Sequence, residues 1–164
     1  DGTLWLARGS GQQVAISRSN DLGKTFSAAV PVGAEPLNMD WGPDSRPQLV
    51  VGPTGRIVVT YAIFQDKRFN GRVHSTFSDD GGAHFAPPVP ITPDGTSQRF
   101  QSAGIDADGR VFAAWLDKRN VSPAQKAGRK YDGAALAFAW SDGKGGFGDT
   151  TIAADTNDVI SRAL

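Results

Sequence analysis

Three arginines recur at matching places along the chain, and they are the side chains best suited to bind an anion. They are Arg46, Arg99 and Arg162, each beside a segment that we predict to be a strand. A guanidinium group is planar and holds a carboxylate through paired, charge-assisted hydrogen bonds. If successive repeats bring these groups to one mouth, they form a receptor for a carboxylate. The alternative is that each arginine pairs with an acidic or backbone group of its own repeat, as part of the scaffold.

A tryptophan precedes the first of these arginines. Trp41 lies in the loop segment from Met39 to Asp44 that leads to Arg46. An indole at the mouth of a binding site offers a flat face on which a sugar ring can stack, whereas an indole packed inward anchors its loop. The sequence leaves both interpretations open, and under the first Trp41 is a substrate-binding residue.

Composition excludes several classes of function. Lys plus Arg and Asp plus Glu number 17 each, so the net charge is zero and nothing indicates a nucleic-acid partner. No apolar run reaches the roughly 18 residues of a membrane helix, so no membrane span is predicted. The chain has no cysteine, which excludes disulfides and thiolate metal sites. We predict neither a metal site nor a cofactor.

An octapeptide of the form S-x-D-x-G-x-x-F occurs twice and sets the register of the chain. The copies run over residues 19–26 and 78–85, and a shorter, degenerate copy covers 141–147. Ser and Asp side chains can accept hydrogen bonds from the backbone of a tight bend, Gly permits a positive φ, and the aromatic can fold back onto apolar neighbours. We predict a hairpin turn that is stabilised by hydrogen bonds from its own side chains. Its fixed positions have structural roles and are Ser19, Asp21, Gly23, Phe26, Ser78, Asp80, Gly82 and Phe85.

Aligned on the octapeptides, the chain divides into units of four short strands. The units cover about residues 1–40, which lack the first strand, 41–95 and 96–155, and a further first strand is predicted over 158–164. The chain contains 20 Gly and 10 Pro, which separate short strand-favouring segments, and this is typical of an all-β chain. Four strands in each period of about 60 residues favour propeller blades. The prediction is an all-β fold, a β-propeller of four-stranded antiparallel blades of which about three are present.

The octapeptide resembles the Asp-box, or bacterial neuraminidase repeat, of sialidase-like propellers. The resemblance implies that each box joins the two outer strands of a blade, at the periphery and away from the ligand. It also implies a six-bladed propeller of which these residues form part. The remaining blades are then expected from further sequence of the same protein. The alternative is a second copy, in which segment 158–164 of one copy completes the first blade of the other.

The third unit resembles the first catalytic blade of sialidases. That blade carries an Arg, a second Arg after the next strand in an Asp-x-Arg motif, and an Asp in the following loop. Arg99, the tripeptide 117–119 and Asp132 occur in this order here. The resemblance implies that Arg99 and Arg119 hold the substrate carboxylate and that Asp132 is the proton donor. Arg99 is followed by Phe100 and Gln101 rather than by the Ile-Pro of the family motif.

The resemblance implies a secreted or periplasmic protein that recognises a carboxylate-bearing glycan, with hydrolysis of the exo-α-sialidase type as its enzymatic form. Sialidases use a Tyr made reactive by a nearby Glu, since a neutral phenol is a poor nucleophile near pH 7. The chain has one glutamate, Glu35, and neither Tyr61 nor Tyr131 stands where the family motif places the nucleophile. The alternative is a non-catalytic Asp-box propeller that acts as a binding or assembly module.

Overall fold

A computed structural model gives the structure of residues 2–33, 36–66, 70–93, 97–130, 133–143 and 146–155. Several residues singled out by the sequence lie outside these ranges: Glu35, Tyr131, Asp132 and Arg162, together with the strand predicted over 158–164. The arrangement below therefore concerns the described residues.

Eleven strands in this part of the chain form three antiparallel sheets, and each sheet is a meander of strands that follow one another in sequence. We call the sheets blades 1, 2 and 3. Blade 1 contains β1 (Leu4–Ser10), β2 (Gln13–Ser19) and β3 (Val30–Val32). Blade 2 contains β4 (Gln48–Val51), β5 (Ile57–Phe64), β6 (Gly71–Ser78) and β7 (Val89–Pro90). Blade 3 contains β8 (Gln98–Ile105), β9 (Val111–Asp117), β10 (Ala135–Trp140) and β11 (Thr151–Asp155). These sheets confirm the predicted all-β fold of antiparallel strands.

The two faces of blade 2 make the two hydrophobic cores, because successive side chains of a strand point to opposite faces. From β5, Ile57, Val59 and Tyr61 pack toward blade 1, against a core that includes Val14 and Ile16. On the opposite face, Ala62 of β5 and Val73 of β6 pack against Ala113, Trp115 and Ala137 of blade 3. The blades therefore stack face to face in chain order.

The outward faces of blades 1 and 3 carry apolar side chains. On blade 3 an open groove of about 330 Å³ is lined by Phe112, Ala114, Leu136, Phe138 and Trp140. The strand register makes this face the equivalent of the one through which blade 2 meets blade 3. On blade 1, Leu4 and Leu6 are exposed on the face that corresponds to the one blade 2 turns toward blade 1.

The octapeptide turns have the predicted hydrogen bonds. In the first copy, Ser19 Oγ accepts the N–H of Gly23 at 2.9 Å and donates to Asp21 Oδ1 at 2.7 Å, and Asp21 Oδ1 accepts the N–H of Thr25 at 2.9 Å. Gly23 has φ 83°. The second copy repeats these bonds with Ser78, Asp80, Gly82 and His84. The turns join β2 to β3 and β6 to β7, so they lie at the outer edge of each sheet.

The aromatic residues that end the two octapeptides differ in burial. Phe85 packs against the core between blades 1 and 2, as predicted. Phe26 is 45% exposed, and its role as an anchor stays a prediction. The physical reason for this exposure is the position of blade 1: its equivalent face is the outward one, where the structure describes no further blade.

Two segments depart from the sequence-based expectation. Strand β8 begins at Gln98 and so includes Arg99, which was expected beside the strand, because a register shift between Arg99 and Ser102 keeps the strand paired past an extra residue. The segment after β9, which the family resemblance places in a loop, contains α1 (Val121–Lys126), in which Pro123 lies in the first turn, where a missing N–H is tolerated. Among the described residues no helix has the length and apolar character to cross a bilayer.

Candidate ligand-binding site

One end of the blades gathers the candidate residues that the structure describes, and we call this end the mouth. It includes the entry loop, residues 36–47, which leads from blade 1 into β4. Asn38 of this loop accepts the N–H of Phe64 at the end of β5, at 2.7 Å. The carbonyl of Arg46 accepts a hydrogen bond from Gln101 of blade 3, at 2.8 Å. The entry loop is thus fixed to both blades 2 and 3.

Arg99 forms an ion pair with an entry-loop residue, Asp40. Its Nε donates to Asp40 Oδ2 at 2.6 Å and its Nη2 to Oδ1 at 3.1 Å. The side chain of Asp40 is 2% exposed and that of Arg99 18% exposed, so the pair is largely removed from water. The guanidinium also lies 4.6 Å from the ring centre of Phe100 and 5.6 Å from that of Phe64. Paired and stacked in this way, Arg99 has a fixed orientation.

A backbone irregularity accompanies this orientation. The β8–β9 register shifts between Arg99, which pairs with Leu116, and Ser102, which pairs with Ala114. Within the shift Phe100 has φ 57°, in the left-handed region that a bulky residue rarely adopts. Bulges of this kind redirect side chains at functional sites. The strain at Phe100 therefore belongs to the segment that presents Arg99 at the mouth.

Arg119 is held by an aspartate of its own blade. Its Nε and Nη2 donate to the two oxygens of Asp117, at 3.0 and 2.7 Å. Trp115 Nε1 donates to the same carboxylate at 3.0 Å. Burial acts to raise the pKa of Asp117, but the hydrogen bonds from Arg119 and Trp115 outweigh it, and the pKa is lowered. Asp117 is therefore an ionised structural partner that fixes both neighbours.

Arg46 differs from the other two arginines. Counted back along β4, it stands opposite Ala62, the equivalent of the Leu116 that pairs with Arg99. The carbonyl of Ala62 is taken by the N–H of Asp40, however, so the chain leaves the sheet before Arg46. Its side chain is exposed and makes no hydrogen bond or ion pair with any residue that the structure describes. Arg46 and Arg99 thus occupy equivalent positions in the sequence but different environments in the structure.

Trp41 is 45% exposed at the mouth. Its six-membered ring lies against Gly9 of β1: a Cβ added at Gly9 would come within 2.2 Å of Cζ3. One part of the indole is therefore anchored on blade 1 and another part faces solvent, and its role in stacking on a sugar stays a prediction.

Tyr61 is the one tyrosine within the described ranges, and its environment is unsuited to nucleophilic catalysis. It is 1% exposed in the core between blades 1 and 2, and burial raises its pKa to about 12. A phenol in this position stays protonated near neutral pH and is out of reach of a ligand.

Two residues of the mouth were missed by sequence reasoning. Asp40 lies 59 residues from Arg99, and no local pattern links the two. Gly9 did carry a signal, because a glycine inside a strand often marks the close approach of another group. Trp41 is that group here.

Comparison with known proteins gives matches among solved structures alone. No protein-family model matches the chain, and no curated protein sequence matches it. An endo-arabinase from Bacteroides thetaiotaomicron has a TM-score of 0.61 and 13% identity, over 92% of this chain and 51% of that one. A Hadza microbial sialidase has a TM-score of 0.58 and 18% identity, over 91% and 35%. A PL25 ulvan lyase bound to -[GlcA(1-4)Rha3S]- has a TM-score of 0.60 and 12% identity, over 93% and 36%.

These likenesses, together with the three stacked meanders, decide the fold. The chain has a β-propeller fold. It contributes three blades and spans between about a third and a half of the length of these propeller proteins. At such identities the likeness concerns the fold and not the activity.

Proposed function

We propose that this protein is a carbohydrate-binding propeller whose mouth takes a glycan that bears a carboxylate. The observation that carries the proposal is the exposed guanidinium of Arg46, which has no counter-ion among the described residues. A solvent-facing guanidinium is suited to paired hydrogen bonds with a carboxylate. Two structural neighbours, a sialidase and a lyase bound to a GlcA-containing glycan, support this class of ligand.

The other arginines have a different part in the proposal. Asp40 and Asp117 neutralise Arg99 and Arg119 and hold their guanidinium planes in place. A preoriented group loses less entropy when it binds a ligand. Arg99 and Arg119 then supply orientation, while Arg46 supplies a positive charge that no described residue compensates. We include Arg162 as the corresponding arginine of the next repeat, although it lies outside the described residues.

The test is a binding measurement by titration calorimetry with 3′-sialyllactose and a glucuronate oligosaccharide, with lactose as the neutral comparison. Arg46→Ala is expected to weaken acidic-glycan binding about tenfold or more, since a hydrogen bond to a charged group contributes about 1.5–3 kcal/mol. Its melting temperature is expected to stay unchanged. Arg18→Ala is the matched control, because Arg18 is also exposed but lies next to the octapeptide turn. Equal binding by wild type and Arg46→Ala contradicts the proposal.

Hydrolysis of the exo-α-sialidase type is the enzymatic form of this proposal, with Asp132 as proton donor. Release of a fluorophore from a sialoside measures it. We expect Asp132→Asn to lose turnover while it retains glycan binding, because an amide cannot donate the proton at the pH where an acid does. A variant with wild-type turnover removes Asp132 from this role.

The second candidate function is non-catalytic glycan binding, and the burial of Tyr61 favours it. Its raised pKa and position in the core leave this tyrosine unable to serve as a nucleophile. Glycan binding that depends on Arg46, without release of fluorophore from any sialoside, is the result expected of this candidate. Turnover by the wild-type protein contradicts it.

Two further parts of the proposal concern the surroundings of the blades. We propose that the apolar outward faces of blades 1 and 3 pack against further propeller blades, from the same protein or from a second copy. We also propose an extracellular or periplasmic location, where glycan chains are accessible. Light scattering on the purified protein distinguishes the two sources of blades, since a monomer excludes the second copy.

A further inference from the structure

The indole of Trp41 packs directly against the backbone of Gly9. Gly9 lies inside β1, opposite Val14, and its φ is outside the left-handed region, so its backbone does not require glycine. Space does require it: a Cβ there would lie 2.2, 2.4 and 2.9 Å from three atoms of the Trp41 ring. These distances are shorter than any non-bonded carbon contact. The indole of Trp41 occupies the space that a side chain at position 9 would need, so this position requires glycine.

The loop that carries the indole is itself fixed by hydrogen bonds on both sides of Trp41. Asp40 donates its N–H to Ala62 at 3.1 Å and pairs with Arg99, and Ser45 donates its N–H to Gly42 at 3.0 Å. Met39, two residues before Trp41, fills the core between blades 1 and 2. The hydrophobic anchoring of this loop is thus supplied by Met39, and Trp41 keeps 45% of its surface in solvent although both of its neighbours are fixed.

The residue that follows Trp41 lies close to the ion pair of Arg99 and Asp40. A Cβ placed on Gly42, next to Trp41, lies 3.8 Å from Arg99 Nη2 and 3.5 Å from Asp40 Oδ1. Arg46 is part of the same loop. A rigid aromatic surface beside hydrogen-bonding groups suits a sugar, whose ring presents C–H groups on one face and hydroxyls at its rim. A purely aliphatic ligand would offer no hydrogen-bond partner to these neighbouring groups.

We propose that Trp41 and Gly9 form a stacking subsite for a pyranose ring next to the carboxylate-binding arginines, and that Gly9 is the residue that positions the indole. The proposal rests on the glycan-binding function proposed above. It assigns the ligand as an acidic oligosaccharide rather than a small free acid, because the arginines take the carboxylate and the indole takes a sugar ring.

The test compares Trp41→Ala, Trp41→Phe and Gly9→Ala by calorimetry with 3′-sialyllactose, a glucuronate oligosaccharide and lactose. Trp41→Ala and Gly9→Ala are expected to weaken binding about tenfold, and Trp41→Phe less, because it keeps an aromatic face. Gly9→Ala is also expected to change the quenching of Trp41 fluorescence by iodide. The signal of the other tryptophans, measured in Trp41→Phe, is subtracted. Gly52→Ala is the matched glycine control, since a Cβ there meets its nearest atom at 3.6 Å. Trp140→Ala controls for loss of a part-exposed tryptophan elsewhere.

The outcomes separate this inference from the proposed function. Unchanged affinity in Trp41→Ala, together with lost affinity in Arg46→Ala, overturns the subsite and leaves carboxylate binding intact. Binding of lactose that depends on Trp41, without preference for the acidic sugars, supports the subsite and contradicts carboxylate recognition. If the wild-type protein binds none of the three sugars, both are overturned.

Discussion

Arg99 and Asp40 join two blades through a paired hydrogen-bonded contact, Nε to Oδ2 at 2.6 Å and Nη2 to Oδ1 at 3.1 Å. The aspartate belongs to the loop that enters blade 2, and the arginine belongs to the first strand of blade 3. The carboxylate occupies one edge of a guanidinium to which the family resemblance gives a ligand-binding role. The same pair therefore orients a candidate binding group and fixes the mouth.

Removal of one partner of this pair is expected to be costly. Asp40→Ala leaves the Arg99 guanidinium at a blade contact without its carboxylate, and we expect a loss of about 3 kcal/mol in the free energy of unfolding. The double variant Asp40→Ala, Arg99→Met is expected to lose less than the sum of the single variants. Urea denaturation measures all four proteins.

A more exposed ion pair provides the control for that experiment. Arg56 and Asp79 are also paired, Nε to Oδ1 at 2.6 Å, but their side chains are 30% and 53% exposed. We expect Asp79→Ala to cost less than about 1 kcal/mol. An equal cost for Asp40→Ala and Asp79→Ala contradicts the structural role assigned to Asp40.

The left-handed backbone at Phe100 predicts an inverted order of stability. Phe100→Ala and Phe100→Gly both remove the ring over Arg99, but Gly adopts φ 57° without a steric cost. The Gly variant is therefore expected to be more stable than the Ala variant by about 1 kcal/mol. At Phe112, in regular β9, the Ala variant is expected to be the more stable one. Thermal denaturation gives both orders, and the same order at both positions speaks against strain at Phe100.

The fourth positions of the two octapeptides give a matched pair of substitutions. Leu22 has φ 61° and is 81% exposed, while Gly81, its counterpart, has φ 67°. Relief of the left-handed conformation at an exposed site is expected to make Leu22→Gly more stable by about 0.5–1 kcal/mol. Gly81→Leu is expected to lose about the same amount. Chemical denaturation of the two variants tests this, and a loss in both contradicts it.

The pH dependence of stability follows from the first octapeptide. Hydrogen bonds from the Thr25 hydroxyl and N–H, and from Ser19, lower the pKa of Asp21 to about 2. The usual value is about 4, so the unfolded chain takes up this proton first as the pH falls. The contribution of Asp21 is thus present above about pH 4 and is lost between about pH 4 and pH 2.

Melting temperatures of wild type and Asp21→Asn from pH 7 to pH 2 measure this contribution. The variant is expected to melt lower near neutral pH, and the two curves are expected to approach each other below pH 4. Parallel curves over the whole range contradict the assignment. Asp80, whose pKa is lowered chiefly by the N–H of His84, is expected to behave in the same direction.

The blade pattern could be read from the sequence because its determinants are local. Within each octapeptide, Ser19 and Asp21 bond to groups at most four residues away, and the turn fixes the register of the strands on both sides. The same reasoning failed at β8, where one extra residue between Arg99 and Ser102 is absorbed by a bulge that composition does not signal.

The candidate site was less predictable because its contacts are long-range. Arg46 and Arg99 look equivalent in sequence, yet one is exposed and the other pairs with Asp40. The difference arises where the entry loop bonds to Ala62, a contact that depends on how blade 2 is already folded. The partner of Trp41, Gly9, likewise comes from the preceding blade.

The meander order of the strands has a consequence for the folding pathway. In each of the three sheets, paired strands follow one another in sequence, so the hairpins can form early and independently of one another. The contact between Asp40 and Arg99 spans 59 residues and requires blades 2 and 3 to be docked. Its loss is therefore expected to speed unfolding while it leaves the folding rate almost unchanged. We expect the contact to form after the hairpins and after the folding transition state.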